Sequence, residues 1–303
     1  MINGFVVVDK PAGITSHDVV SRVRRILGTR KVGHTGTLDP FATGVLPVAV
    51  NDGTKVIPFL DEGSKTYEAL LRLGVTTDTL DLTGEILSES DISCITREQF
   101  LSCLTNFTGA ISQVPPMYSA IKQNGQPLYK LARQGVEVER KARDVEIYSL
   151  ELLSFDLPYA AIRVTCSRGT YVRSLADDIG HQLGCGAALQ ELRRTASGPF
   201  CIENAVTLAD LEIAVSEGRV DALCLSPITV LDHLPEIPLT FAGFDGLRFG
   251  RSPSWSATLL KNPLVCTDET LVRLTSDGSL AAVAMLVPDC RPDAAIVLKR
   301  VLI

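Results

Sequence analysis

Apolar positions fall in short, separated bursts along this chain, and their spacing alternates between two periods. Residues 5–8 form a continuous apolar run closed by Asp9-Lys10-Pro11, the pattern of a short buried strand. Val19, Val20, Val23, Ile26 and Leu27 then recur at helical spacing, with Ser16 as the expected N-cap and Gly28 as a left-handed stop. Residues 45–50 read as a strand. Residues 66–74 read as another, with Tyr67, Ala69, Leu71 and Leu73 on one face. The polar, acidic stretch 75–90 predicts a surface turn or hairpin. Thr96 and Gln99 form a capping box ahead of a helix over 100–107.

Residues 113–118 are extended, Asn124-Gly125 predicts a hairpin turn, and Pro127 predicts the first residue of a short helix. Residues 145–155 and 160–167 predict an antiparallel pair joined at Leu157-Pro158. Helices are expected over 170–183 and 207–214, and residues 189–196 carry the adjacent pair Arg193 and Arg194. Beyond about residue 233 the chain breaks into short apolar runs punctuated by Gly, Pro and Asp. Long strands with few parallel crossovers point to an α+β fold rather than a doubly wound one. The expected architecture is a mixed, largely antiparallel sheet flanked by helices, with a small β-rich C-terminal module. The expected division is 1–233 and 234–303.

Composition narrows the classes. At 303 residues and 46% hydrophobic content the chain can bury a large core, and 21% charged residues argue against disorder. No apolar run approaches the roughly 20 residues of a membrane span, and the N-terminus has no secretory pattern, so a cytoplasmic location is expected. The eight cysteines (94, 103, 166, 185, 201, 224, 266 and 290) form no Cys-x-x-Cys pair and are expected to be reduced and mostly buried. The four histidines (17, 34, 181, 233) have no metal-ligand spacing, and there is no phosphate-binding loop, dinucleotide fingerprint or nucleophile elbow. No metal or cofactor is expected.

The net charge of −6 seems at first to exclude nucleic acid. Its distribution says otherwise. Residues 201–240 hold one basic and seven acidic residues, while residues 1–200 are close to neutral. Arg22, Arg24, Arg25, Arg30 and Lys31 lie in a stretch from Val19 to Leu38 that contains no acid. Lys122, Lys130, Arg133, Arg140, Lys141 and Arg143 form a second cluster. Each alone is an ordinary solvated face; together they point to an anionic partner. The acidic segment is expected to lie away from that partner.

One loop is dense in chemistry. In Gly33-His34-Thr35-Gly36-Thr37-Leu38-Asp39-Pro40, glycines flank a single acid whose backbone is biased to extended geometry by the following proline. Spacing alone favours Asp39 as an N-cap with Pro40 at the first helical position.

The wider motif, from Gly33 through Asp39-Pro40-Phe41-Ala42-Thr43-Gly44-Val45-Leu46, resembles the catalytic motif of the TruB-type tRNA pseudouridine-55 synthases. Further segments resemble that family in its own order: Asp9-Lys10-Pro11-x-Gly13-x-Thr15-Ser16, Lys65-Thr66-Tyr67, Leu73-Gly74-x-x-Thr77-Asp78-Thr79, and Pro115-Pro116-x-Tyr118-Ser119-Ala120. They continue with Gly125-x-Pro127-Leu128-Tyr129, Ser167-Arg168-Gly169-Thr170-Tyr171-Val172-Arg173-Ser174 and Leu192-Arg193-Arg194. The resemblance covers roughly residues 3 to 200.

The resemblance implies an isomerase that converts uridine-55 in the T loop of tRNA to pseudouridine on a flipped-out base, without cofactor. It implies Asp39 as nucleophile, at C1′ or at C6, with a route that begins with proton loss from the sugar also open, and Arg173 as its partner. Tyr67 stacks on the uracil, Tyr171 and Leu192 line the pocket, and His34 supports the flipped state. It implies an RNA-gripping insertion at about 120–145, phosphate contacts from both basic clusters, and a PUA-like RNA-binding tail. The T stem-loop is the expected partner; no protein partner and no membrane are indicated. The alternatives are a tRNA-binding or RNA-folding protein, and a related synthase acting at another RNA site.

Overall fold

A computed structural model describes residues 2–61, 63–123, 125–288 and 295–303. Asn124 of the expected turn and Cys290 lie outside the described residues.

The main sheet has ten strands among the described residues. Its hydrogen-bonded path runs Cys224–Leu225, Gly4–Lys10, Thr43–Val50, Ala187–Ser197, Ser64–Leu73, Tyr159–Ser167, Arg143–Asp156, Gly109–Gln113. Val32–His34 pairs with Thr43–Val50, and Phe200–Cys201 pairs with Ala187–Ser197. Every pairing in this sheet is antiparallel except one: Ala187–Ser197 runs parallel to Thr43–Val50, at Arg193↔Thr43 and Arg194↔Gly44. The fold is therefore the mixed, largely antiparallel α+β class that the patterning predicts.

Strand Thr43–Val50 is almost continuously apolar because both its faces are covered. Leu46 and Val48 enter one core, with Val19, Phe100, Leu175, Ile179 and Leu211 from the helices Ser16–Leu27, Arg97–Thr105, Val172–Gln182 and Leu208–Ser216. Val45 and Ala49 enter the opposite core, with Phe5 and Phe200. The C-terminal strands Glu236–Pro238, Thr270–Ser276, Ser279–Val287 and Ala295–Val301 form a second sheet. Strand alternation divides its side chains. Ala282 and Ala284 fill a core of the tail's own, whereas Val283 joins Phe5 and Val45.

Several local expectations are corrected. Thr15, not Ser16, caps the first helix in a reciprocal box with Asp18. Ser16 lies in the first turn and is buried, and its hydroxyl accepts from the Leu38 N–H at 2.9 Å. Pro127 is the N-cap of Leu128–Ala132 rather than its first residue. The stretch 75–90 does contain a hairpin, Val75–Thr77 with Ile86–Glu89, but Thr77 and Asp81 within it are buried. The thiols are free among the described residues, yet only Cys103, Cys166 and Cys185 are buried; Cys201, Cys224 and Cys266 are half-buried and Cys94 is exposed.

Three of the seven acids of 201–240 make local contacts or bond to the tail: Asp210 with Thr207, Glu217 with Arg219, Glu236 with Arg273. None of these contacts involves Asp39, Arg173 or Tyr67.

Candidate active site

Asp39 lies on the loop between Val32–His34 and Thr43–Val50, and no helix follows it, so the N-cap alternative is excluded. Backbone restraints hold the loop on several sides. Ser16 ties Leu38; the Gly13 N–H donates to the Pro40 carbonyl at 2.8 Å; the Ala42 N–H donates to the Asp39 carbonyl at 3.1 Å. Gly44 is required by close packing: at φ 100° it crosses the parallel strand so tightly that a Cβ would fall 2.2 Å from the Arg194 carbonyl oxygen.

Two buried cations complete the cradle. Lys10 is fully buried at the end of its strand, and its ammonium donates to the carbonyls of Pro11 (2.9 Å), Ile14 (2.7 Å) and Pro40 (3.1 Å). Burial pushes Lys10 down to about 8, and the Asp39 carboxylate pulls it back up. Arg194 is also fully buried and donates to the carbonyls of Val45 (2.7 Å), Gly36 (3.2 Å) and Thr37 (3.5 Å). These carbonyls bracket Asp39 in sequence, so the two side chains fix the path of the loop on either side of the acid.

The Asp39 carboxylate forms an ion pair with Arg173, Nε to Oδ2 at 2.9 Å. Arg173 is buried in the first turn of Val172–Gln182, and its other nitrogens donate to the carbonyls of Thr79 (2.9 Å) and Tyr118 (2.7 Å). Gln113 pins the start of that helix: Tyr171 N–H donates to its side-chain oxygen at 2.8 Å, and its amide donates to the Tyr171 carbonyl at 3.1 Å. Asp81 lies 3.7 Å from Nη1 of Arg173, and accepts from the Thr79 and Thr83 hydroxyls. One guanidinium thus serves two carboxylates and two carbonyls. Burial pushes the Asp39 carboxyl above its ordinary range; Arg173 opposes this, and Asp81 reinforces it.

Tyr67 sits opposite Arg194 on neighbouring strands, buried on the same sheet face as Ala69 and Leu192. Burial raises its hydroxyl above the ordinary phenol value, and Arg194 draws it back. Tyr171 is half-buried, and its hydroxyl too is raised by burial and by the Asp39 charge. His34 is half-buried on its short strand; burial and Arg194 push its pKa down, and its Nδ1 is buried without a hydrogen-bond partner. These side chains, with Asp39, Arg173 and Leu192, are brought together from four segments of sequence.

The basic clusters behave differently. Arg22, Arg25, Arg30 and Lys31 are exposed, but Arg24 turns inward and donates to the Val32 carbonyl at 2.9 Å. Lys122, Lys130, Arg133, Lys141 and Arg143 are exposed around the hairpin Lys122–Gln123/Gln126–Pro127 and helix Leu128–Ala132. Arg140 donates to the Pro115 carbonyl at 3.2 Å. Sequence reasoning missed the structural parts of Ser16, Lys10, Asp81 and Arg194. A readable signal existed for one of them, Lys10: a lysine closing an apolar strand.

Residues 24–172 match the model of the "TruB family pseudouridylate synthase (N terminal domain)", and residues 173–230 match the "tRNA pseudouridylate synthase B C-terminal domain". A tRNA pseudouridine synthase B of Geotalea uraniireducens is 54% identical over 93% of this chain and 91% of its own. One of Pseudomonas aeruginosa is 50% identical over 73% of each. Among solved structures, an H/ACA RNP bound to a substrate RNA containing 2′-deoxyuridine contains a chain that superposes with a TM-score of 0.75, at 26% identity over 99% of this chain and 85% of that one. A Cbf5-Nop10-Gar1 complex gives 0.75 at 28% identity, with the same two coverages. The motifs, the fold that gathers them and these matches agree: the chain belongs to the TruB family of pseudouridylate synthases.

Proposed function

We propose that this protein isomerises uridine-55 in the T loop of tRNA to pseudouridine, with Asp39 as the nucleophile. The observation that carries the reading is the Asp39–Arg173 ion pair, in which Arg173 is held by the backbone carbonyls of Thr79 and Tyr118. The reaction breaks the N1–C1′ bond, turns the uracil in place and joins C5 to C1′. The C5 proton is lost and N1 gains one, so atoms and electrons balance without a co-reactant. Such chemistry requires an oriented carboxylate and a site that retains a detached base. Attack at C1′ and attack at C6 both draw on this geometry.

Arg173 keeps the carboxylate ionised against the burial that would protonate it. Tyr67 stacks on the uracil and assists removal of the C5 proton; its burial opposes the phenolate, and Arg194 favours it. Tyr171 and Leu192 wall the pocket. His34, kept neutral by burial and by Arg194, takes the place of the flipped base in the RNA stack. The exposed cations of both clusters contact phosphates, residues 122–143 grip the T arm, and residues 234–303 form a separate RNA-binding module.

A related synthase acting at another RNA site is the second reading, and the likeness to an H/ACA RNP bound to substrate RNA favours considering it. The identity levels weigh against it: 54% to a tRNA pseudouridine synthase B, against 26% to that neighbour. Incubation with an unmodified tRNA transcript followed by pseudouridine mapping separates them. Modification at position 55 is expected; modification elsewhere, or none, overturns the proposal.

A further inference from the structure

The three strands at the parallel crossing, Gly4–Lys10, Thr43–Val50 and Ala187–Ser197, carry different ions on their two faces. On the face toward Asp39 the row is Lys10, Gly44 and Arg194, with Gly44 in register with both neighbours. Gly44 puts no side chain between the two buried cations. They repel across it: burial pushes Lys10 down, Arg194 adds to that push, and Asp39 and Asp18 draw it back up. Their donors end on the carbonyls of Pro40 on one side and of Gly36 and Thr37 on the other, so their spacing sets the path of the loop between.

Successive residues of a strand point to opposite faces, so Asp9, Thr43 and Arg193 lie behind that row. There Arg193 grips Asp9 with both arms of its fork, Nη1 to Oδ1 at 3.1 Å and Nη2 to Oδ2 at 2.8 Å. Nη1 also donates to the Thr43 hydroxyl at 3.3 Å. The strands of Asp9 and Arg193 are not neighbours; strand Thr43–Val50, which continues from the Asp39 loop, runs between them. The pair therefore ties the two outer strands together over the middle one. Both side chains are half-exposed, so the pair adds little to stability. A bidentate fork does fix distance and direction. Asp9 is joined directly to Lys10, and Arg193 to Arg194. Any spreading of the outer strands is passed within one residue to the two cations that cradle Asp39.

We infer that Asp9 and Arg193 are positioning residues for the reaction: their pair on the far face of the sheet sets the spacing of Lys10 and Arg194, and through them the place of the Asp39 carboxylate. This rests on the function proposed above. The test compares wild type with Arg193→Met, Arg193→Lys, Asp9→Asn and the double variant Asp9→Asn/Arg193→Met. Arg193→Met should lower the single-turnover rate on tRNA roughly tenfold, leave the Kd for tRNA unchanged and shift Tm by no more than about 3 °C. Arg193→Lys, which keeps the charge, should recover part of the rate. The double variant should be no slower than Arg193→Met alone, because one pair is lost in both.

A pH profile separates positioning from general loosening. The titratable groups facing Asp39 are Arg173, Asp81, Lys10, Tyr67 and Tyr171. Lys10 favours the ionised carboxylate, so moving it away should carry the acid limb to higher pH. Hydrogen exchange gives a readout that needs no activity. In Arg193→Met without RNA, the amides of Gly13, Leu38 and Ala42, which bond within the Asp39 loop or to it, should exchange faster. Those of helix Val172–Gln182 should not change. An unchanged rate, a Kd weakened in proportion to the rate, additive losses in the double variant, an acid limb that stays or moves down, or unchanged exchange in the loop would each overturn the inference. Wild type that binds tRNA but forms no pseudouridine would end the proposed function instead, while loop exchange still decides whether the pair holds the loop.

Discussion

Two regions of this molecule use the same cations in opposite ways. Around Asp39, Lys10, Arg173 and Arg194 are buried, and each directs its donors to two or three backbone carbonyls. Across residues 122–143, five of six cations are exposed to solvent. Burial makes the first set costly and therefore geometrically exacting: an unpaired charge there is penalised by several kcal/mol, about 3–5 when one partner of a buried pair is removed. Exposure makes the second set tolerant, and each contact is screened by salt and weak on its own. The first region suits chemistry on one atom, and the second suits attraction of a polyanion in many orientations.

The contrast breaks most sharply at Asp39. Asp39→Asn keeps shape and hydrogen-bonding capacity but removes the nucleophile. Turnover falls to background while the melting curve and the affinity for tRNA are retained, measured by tritium release and filter binding. Normal pseudouridine formation by this variant would end the nucleophile assignment.

Arg173→Lys keeps the charge but loses the planar fork that reaches Asp39, Thr79 and Tyr118 together. A single-turnover rate lower by roughly a hundredfold is expected, on the scale of losing one preorganised electrostatic interaction. An unchanged rate would show that charge alone suffices.

Asp81→Asn should act more gently and in a definite pH direction. Asp81 helps to raise the Asp39 carboxyl, so its neutralisation lowers Asp39's pKa and shifts the acid limb of kcat/KM to lower pH. The plateau rate also falls, because Arg173 is then less firmly held. A limb that stays in place, or moves up, contradicts the coupling.

The smallest effects belong to the insertion. Lys130→Ala or Lys141→Ala should weaken tRNA binding about two- to threefold at low salt, consistent with an exposed ion pair of under about 1 kcal/mol. The slope of log Kd against log salt should fall by about one for each phosphate that is no longer neutralised. Single-turnover rates at saturating enzyme should not change. A rate loss as large as that of Arg173→Lys would place the insertion inside the chemistry and erase the distinction between the two regions.

Wherever a property depends on neighbours in sequence, the chain alone determined it. The two-residue period of residues 66–73 put Tyr67, Ala69 and Leu71 on one buried face. The Thr96–Gln99 box began a helix, and Gly28 ended one at φ 62°. Motif resemblance picked out Asp39 and Arg173, 134 positions apart, and the structure places them 2.9 Å from each other. Burial of polar side chains was not legible in the same way. Nothing in a polar, acidic stretch distinguishes Asp81, which packs against Arg173, from the exposed Glu85 and Glu89 nearby. Nor does the pair Arg193-Arg194 reveal which arginine points inward. Arg193 reaches Asp9 at the half-exposed edge, while Arg194 is fully buried against the Asp39 loop. The reason is physical. Periodicity records the average apolarity of a face, but a buried charge is admitted by its particular partners. Here those partners are carbonyl oxygens, which every residue possesses and no sequence displays. Only the packing of Ala187–Ser197 alongside Thr43–Val50 brings the carbonyls of Gly36, Thr37 and Val45 within reach of Arg194. That parallel crossing turns a loop with an acid into a site with a fixed carboxylate.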